Sequence, residues 1–434
     1  MAMLRTSLRS FLSFPTRAAV VRASSWWSGV EVGPPDPIFG LLEAYNKDER
    51  TNKVNLTVGA YRDDQGKPYV LNVVKQIERD NLDKYKEKEY AGILGYPSFH
   101  RAAIEFALTP QEKHVKENLY VSAQAIGGTG ALRIIALFLA KFFPHQKTIY
   151  VPAPTWGNHA PVFRSSGLNV ETYRHFKPET CGFDSEACYE DLRKIPDNSL
   201  ILFHACGHNP TGIDPTLDEW SQLSKICKEK NHYVFMDMAY QGFSTGDLDR
   251  DASALRLFVR DGHQLSYAQS FSKNMGLYGE RVGAVTILCD TPEEKAALES
   301  QLKIIVRPMY SNPPINGARI ATEILTNENY RSQWLVEMKN MADRITSMRT
   351  SLKDALAKHG STLDWSHVTK QIGMFCFSGL SAEKVDALRN DYGIYMTRDG
   401  RISMPALCSS NVDYLDYNTI GRDILRGPVW LVVE

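Results

Sequence analysis

Ser270-Phe271-Ser272-Lys273-Asn274-Met275-Gly276-Leu277-Tyr278-Gly279-Glu280-Arg281 follows a short apolar run, Leu265 to Ala268, and reads as a turn at the exposed end of a buried strand. Two hydroxyls, one lysine and one arginine converge there, and Gly276 and Gly279 bend the backbone. Most lysines are solvated surface groups. A lysine held beside hydroxyls and a fixed cation differs, because desolvation and the neighbouring charge lower its pKa and the neutral amine can then attack an aldehyde. Ser270 and Arg281 flank Lys273 with what a phosphate ester needs, a hydroxyl donor and a planar cationic fork. A small molecule that carries both an aldehyde and a phosphate is pyridoxal 5'-phosphate (PLP).

The same stretch resembles the PLP-lysine signature of aspartate aminotransferases, the mitochondrial form in particular, and the likeness runs from about Ser24 to about Leu415. The resemblance implies an α/β protein of fold-type I, with a large domain built on a mostly parallel sheet flanked by helices and a smaller α/β domain. It divides the chain into a presequence (1–24), an N-terminal arm (25–36), a large PLP-binding domain (69–340) and a small domain drawn from 37–68 and 341–434. It implies a homodimer with shared active sites. The implied reaction is reversible transfer of an amino group between L-aspartate and 2-oxoglutarate, by a ping-pong route. Substrates are amino acids and 2-oxo acids.

Bulk composition agrees with that outline. At 434 residues the chain exceeds what one compact core usually supports, so two domains are expected. Fifty basic and fifty acidic side chains leave no net field to favour nucleic acid or an anionic membrane. The seven cysteines are odd in number and scattered, without a C-x-x-C pair, which opposes a disulfide framework and a zinc site and fits a reducing compartment. Met1 to Ser25 holds Arg5, Arg9, Arg17 and Arg22, several serines and no acid, as in a basic amphipathic transit peptide; a disordered tail is the plainer reading. Pro15 and Arg17 break any secretory apolar core. Import into the mitochondrial matrix is expected, with removal near Ala23 to Ser25. The most apolar stretch, Ile134 to Phe143, is too short to span a membrane and contains Lys141.

From Thr148 to about Ser300, strand and helix patterns alternate, which indicates a mostly parallel sheet with helices on both faces. Trp156, Asn209, Asp237 and Lys273 each fall just beyond a strand's carboxyl end, where open α/β sheets bind ligands. An acid such as Asp237 at the end of an apolar strand needs a partner, either a structural salt bridge or a protonated ring nitrogen. Gly127-Gly128-Thr129-Gly130 is a turn before a helical pattern, and free N–H groups at a helix start suit phosphate. His204, Cys206 and His208 invite a metal reading, which strand alternation and the lack of further ligands oppose; no metal is expected.

The resemblance assigns roles to matching residues. Lys273 carries the cofactor and moves the proton; Asp237 pairs with the ring nitrogen; Trp156 stacks on the ring; Asn209 and Tyr240 meet the ring oxygen. Gly128, Thr129, Ser270 and Arg281 hold the phosphate, with Tyr90 reaching in from the neighbouring subunit. Gly127 stands where the family has serine, so one hydroxyl is missing. Gly59, Trp156, Asn209, Arg401 and Arg307 bind substrate, Arg401 at the α-carboxylate and Arg307 at the distal carboxylate across the dimer. His159 supports the site from behind. Trp26 and Trp27 suggest an arm on a partner subunit rather than packing on their own domain.

Two departures stand out. From Asp416 onward Gly421, Gly427 and Pro428 oppose the terminal helix the family has, and Pro405-Ala406 replaces the expected Ala-Gly, so altered small-domain packing is expected. The rival readings are an aromatic or kynurenine aminotransferase, which Arg307 opposes, and a non-catalytic relative, which the complement of chemical residues opposes.

Overall fold

The computed structural model describes residues 25–33, 38–358 and 364–415. The expected presequence, the end of the arm and the departure after Leu415 lie outside those residues. Within 25–33 a turn is closed by Ser28 N–H to Ser25 O and Val30 N–H to Trp27 O. Trp26 and Trp27 on it are 97% and 75% exposed.

The strands are β1 (Val54–Asn55), β2 (Tyr120–Ile126), β3 (Thr148–Ala153), β4 (Asn169–Arg174), β5 (Phe176–Lys177), β6 (Gly182–Phe183), β7 (Leu200–His204), β8 (Tyr233–Met238), β9 (Leu265–Ser270), β10 (Val282–Leu288), β11 (Phe375–Phe377), β12 (Ile394–Tyr395) and β13 (Arg401–Ser403). Seven form the main sheet in the order β2-β10-β9-β8-β7-β3-β4. All neighbours are parallel except β10, which runs antiparallel to both β9 and β2. The mostly parallel α/β sheet expected from the alternating pattern is therefore present. Leu-Ile-Leu-Phe in β7 and Val-Phe-Met in β8 are buried on both faces, as a helix-covered parallel sheet requires.

Helices cover each face. Helix Gly127–Phe142 buries Ala131, Leu132, Ile134, Ile135, Phe138 and Leu139 against one side. Helix Leu217–Glu229 packs on the other through Trp220, Leu223 and Ile226, and Thr216 and Glu219 close a capping box at its start. Gly127 is already the first residue of its helix, so the phosphate-side turn is tighter than the sequence suggests. Helix Glu328–Lys358 runs 31 residues, from Trp334 beside the turn after β9 to Arg349 against Phe375 of β11. Pro405 and Ala406 form a buried 3-10 turn, Met404–Ala406, in which proline takes an early position that needs no N–H.

Candidate active site

Lys273 lies three residues past β9, in a turn tied down on both sides. Asn274 Nδ2 donates to Gln241 O at 3.0 Å, and Asn274 O accepts from the buried Trp334 indole N–H at 2.7 Å. Tyr278 Oη accepts from Tyr61 N–H at 2.9 Å, joining the turn to the loop that holds Gly59. Burial pushes the Lys273 amine below the usual lysine range; the Arg281 charge pushes the same way and Asp237 opposes. Its Nζ sits 5.3 Å from the centre of the Tyr240 ring.

From Tyr240 a chain of contacts leads to the arginine. Asn209 Nδ2 donates to Tyr240 Oη at 3.3 Å, and Asn209 Oδ1 accepts from Arg401 Nη1 at 3.3 Å. Arg401 Nη2 donates to Thr57 O at 3.1 Å. Arg401 is 4% exposed, its Nε has no acceptor among the described residues, and burial lowers its pKa. A buried guanidinium without a carboxylate partner is costly, and an anionic ligand offsets that cost.

Behind this crevice, Asp237 is held by histidine. Adjacent strands bring His204 and Asp237 into register. Asn209 N–H meets His204 Nδ1 at 3.2 Å, His204 Nε2 meets Thr155 Oγ1 at 3.0 Å, Thr155 Oγ1 meets His159 Nδ1 at 2.8 Å, and His159 Nε2 meets Asp237 Oδ2 at 3.1 Å. His204 lies well below the usual histidine range because it is buried, with the neighbouring His159 and His175 adding to the shift, so it is neutral. A backbone N–H can only donate, so His204 Nδ1 accepts, and each later hydrogen follows in one direction toward Asp237. Both His204 nitrogens are thereby taken, and its ring stacks on His208 at 4.2 Å. Trp156 stands edge-on to His159, centroids 5.3 Å apart.

The phosphate-side residues gather where helix Gly127–Phe142 begins. A Cβ on Gly128 would lie 3.1 Å from Ser270 Cβ, and one on Gly127 would lie 2.4 Å from Arg281 Nη2. Gly127 has φ +75°, so the missing serine hydroxyl is matched by a backbone and a space that favour glycine. Thr129 follows in the same first turn. Free N–H groups, the positive end of the helix, a hydroxyl and a guanidinium form a cradle that fits a phosphate ester.

Two predicted residues, both expected to act across a dimer, are exposed in the single chain. Tyr90 is 85% exposed and lines a surface pocket with Tyr85, Tyr96 and Arg319. Arg307 is exposed near the end of helix Pro292–Tyr310, where it donates to Ser311 Oγ. Sequence reading missed Thr155, His204 as a partner of the site, and Phe375, whose ring lies under Arg401 with the guanidinium carbon 4.1 Å from its centre. His204 was visible only as one of three alternating candidates for a metal. Phe375 sits in a Phe-Cys-Phe run that reads as core.

A lysine of lowered pKa, a histidine-held aspartate and a phosphate cradle at the carboxyl ends of parallel strands define a PLP-dependent transferase. The profile of the family "Aminotransferase class I and II" matches residues 51–415, and the chain belongs to that family. It is 53% identical over 416 residues to the mitochondrial aspartate aminotransferase of Gallus gallus, covering 96% of this chain and 98% of that protein. It is 52% identical to the mitochondrial aspartate aminotransferase of Dictyostelium discoideum, covering 90% and 92%. Among solved structures it resembles cytoplasmic aspartate aminotransferase of Saccharomyces cerevisiae, at 40% identity and TM-score 0.87 over 91% of this chain and 97% of that one. It also resembles an aromatic-amino-acid aminotransferase of Burkholderia pseudomallei covalently bound to pyridoxal phosphate, at 37% identity and TM-score 0.87 over 90% and 98%.

Proposed function

We propose that this chain is a mitochondrial aspartate aminotransferase that exchanges the amino group between L-aspartate and 2-oxoglutarate, giving oxaloacetate and L-glutamate. The observation that carries the reading is Arg401, buried, without a salt-bridge partner among the described residues and linked through Asn209 and Tyr240 to Lys273. Lys273 would hold the aldehyde carbon of PLP, Gly128, Thr129, Ser270 and Arg281 its phosphate, Trp156 its face, Asn209 and Tyr240 its ring oxygen, and Asp237 its ring nitrogen. When bound, PLP supplies a carbonyl for the amino group and a ring that accepts the electrons of the substrate α-carbon.

The protein's own work is placement and proton transfer. Arg401 fixes the α-carboxylate and so sets which bond of the α-carbon faces Lys273. The Lys273 amine, once the substrate amine has displaced it, would be placed to take and return the α-proton, and its burial favours the neutral form that this needs. Asp237, oriented by the His159 N–H, stays an acceptor for a protonated ring nitrogen. Arg307 serves the distal carboxylate in the active site of a second copy, and Tyr90 reaches the second copy's phosphate, so the working unit is a homodimer embraced by residues 25–36. The small domain of 37–68 and 341–434 closes on the large domain of 69–340. The first 24 residues direct import to the matrix.

Initial rates against both substrates test the scheme, and parallel double-reciprocal lines are expected. Intersecting lines would sink it. Visible absorbance of the purified holoenzyme should bleach with aspartate at lower concentration than with phenylalanine; the reverse order would favour an aromatic aminotransferase.

A further inference from the structure

Phe375 occupies the centre of three elements that meet at Arg401. It is 3% exposed. Its ring carries the guanidinium of Arg401 at 4.1 Å and meets Tyr240 edge-on at 6.4 Å. Its far edge fills the space beside Gly59, where a Cβ would come within 2.9 Å of Phe375 Cζ. In the β11–β13 pair Phe375 lies opposite Ser403, two residues from Arg401 along the partner strand, which puts ring and guanidinium on one face.

The ring's backbone is fixed from beneath. Arg349, fully buried, donates Nη2 to Phe375 O at 2.6 Å and to Gly373 O at 2.9 Å, and Nη1 to Val368 O at 3.0 Å. Ile372 N–H donates to Gly212 O at 2.7 Å, binding the strand to the turn that presents Asn209. The loop of Gly59 is held on the opposite side, with Ser403 N–H donating to Leu56 O at 2.8 Å and Ser403 Oγ to Val58 O at 2.7 Å. Gly59, Phe375 and Arg401 therefore cannot move independently.

We infer that Phe375 is a positioning residue for the substrate α-carboxylate: its ring face sets the height and tilt of the Arg401 guanidinium, and Gly59 is glycine because the ring's edge leaves no room for a side chain. A desolvated cation over an aromatic face is well placed to hold such an orientation. Among the described residues the Arg401 guanidinium makes two hydrogen bonds, to Asn209 Oδ1 and Thr57 O, so the ring is the third point that defines its plane. The inference rests on reading Arg401 as the α-carboxylate's ligand. Because that carboxylate is common to all amino acids, the effect is blind to the side chain of the substrate.

The test uses the holoenzyme and compares Phe375→Leu, Gly59→Ala, their double variant and Arg401→Leu, each with aspartate and with phenylalanine. Phe375→Leu should raise KM for both amino acids by the same factor, about tenfold, with kcat changed less than threefold and cofactor content unchanged. Gly59→Ala should raise both KM values alone and much less in the Phe375→Leu background, because leucine does not reach the position of Cζ. An unchanged KM in Phe375→Leu, a rise confined to aspartate, or Gly59→Ala and Phe375→Leu factors that simply multiply would each overturn the inference. Arg401→Leu separates the two levels. If it leaves both KM values unchanged, the reading of Arg401 fails; if it raises both while Phe375→Leu is silent, only the role of Phe375 fails. Should Phe375→Leu not fold, Phe375→Met replaces it under the same criteria.

Discussion

His159 Nε2 lies 3.1 Å from Asp237 Oδ2 as a donor, because the Asn209 backbone N–H begins a one-way series of hydrogen bonds through His204 and Thr155 that ends on the aspartate. The hydroxyl of Thr155 joins the two histidines, accepting from His204 Nε2–H and donating to His159 Nδ1 through one oxygen. Thr155→Val removes that link and frees His159 to take the other tautomer, which turns a lone pair toward Asp237. A fall in kcat of about tenfold is expected, the worth of one hydrogen bond of orientation, with KM for aspartate unchanged. Thr155→Ser should retain the parent rate. A Thr155→Val enzyme indistinguishable from the parent would show that the series does not orient His159.

Arg401 and Arg307 differ in burial, and under the proposed function they serve different carboxylates. Arg401 is buried at the crevice, whereas Arg307 is exposed near the end of helix Pro292–Tyr310. Arg307→Leu should lower kcat/KM for aspartate by about a hundredfold or more and leave phenylalanine within a few-fold. Arg401→Leu should depress both substrates. Equal losses for both amino acids in Arg307→Leu would refute its assignment to the distal carboxylate.

The strand ends were legible because short apolar runs stop abruptly at polar groups. Asp237 and Lys273 announce themselves as charges at the edge of buried strands, and the parallel sheet follows from the alternation between them. The antiparallel insertion of β10 between β9 and β2 was not legible, since its run of buried residues carries no sign of direction. The Thr155–His204 link spans 49 residues of sequence and depends on register, which only the folded sheet supplies. Phe375 was hidden for a different reason: an apolar residue that acts through its ring face has the same sequence signature as one that merely fills space. Tyr90 and Arg307 lie on the surface of the single chain, so their burial gives no sign of a site.

Gly127 offers a test of the phosphate cradle. A methyl group there would meet Arg281 Nη2 at 2.4 Å and would sit on a residue with φ +75°. A side chain at positive φ costs about 1–2 kcal/mol, and relief of the clash moves the guanidinium away from the helix start. Gly127→Ala should therefore raise the PLP concentration needed to half-saturate the apoenzyme by about tenfold, read from quenching of tryptophan fluorescence. An unchanged half-saturation would mean that Arg281 holds the phosphate from a position that does not need the glycine.

Asp251 supplies a pH dependence unrelated to catalysis. Its buried carboxylate accepts from Thr245 Oγ at 2.7 Å and Ser244 N–H at 3.1 Å, yet burial pushes its pKa up from 3.8 to about 7. A raised folded-state pKa means that the folded chain keeps a proton the unfolded chain releases. The stability tied to that proton is whole below about pH 4 and is lost as pH rises through about 7. Asparagine reproduces the protonated acid, with its oxygen toward the backbone N–H groups and its amide toward Thr245 Oγ. Asp251→Asn should then match the parent melting temperature at pH 4, exceed it increasingly up to pH 7, and keep a constant gain of several degrees above that. Differential scanning calorimetry of both holoenzymes from pH 4 to 9 measures the difference directly. A gain independent of pH would place the benefit in packing, and a loss above pH 7 would show that the charged carboxylate is the stabilising form.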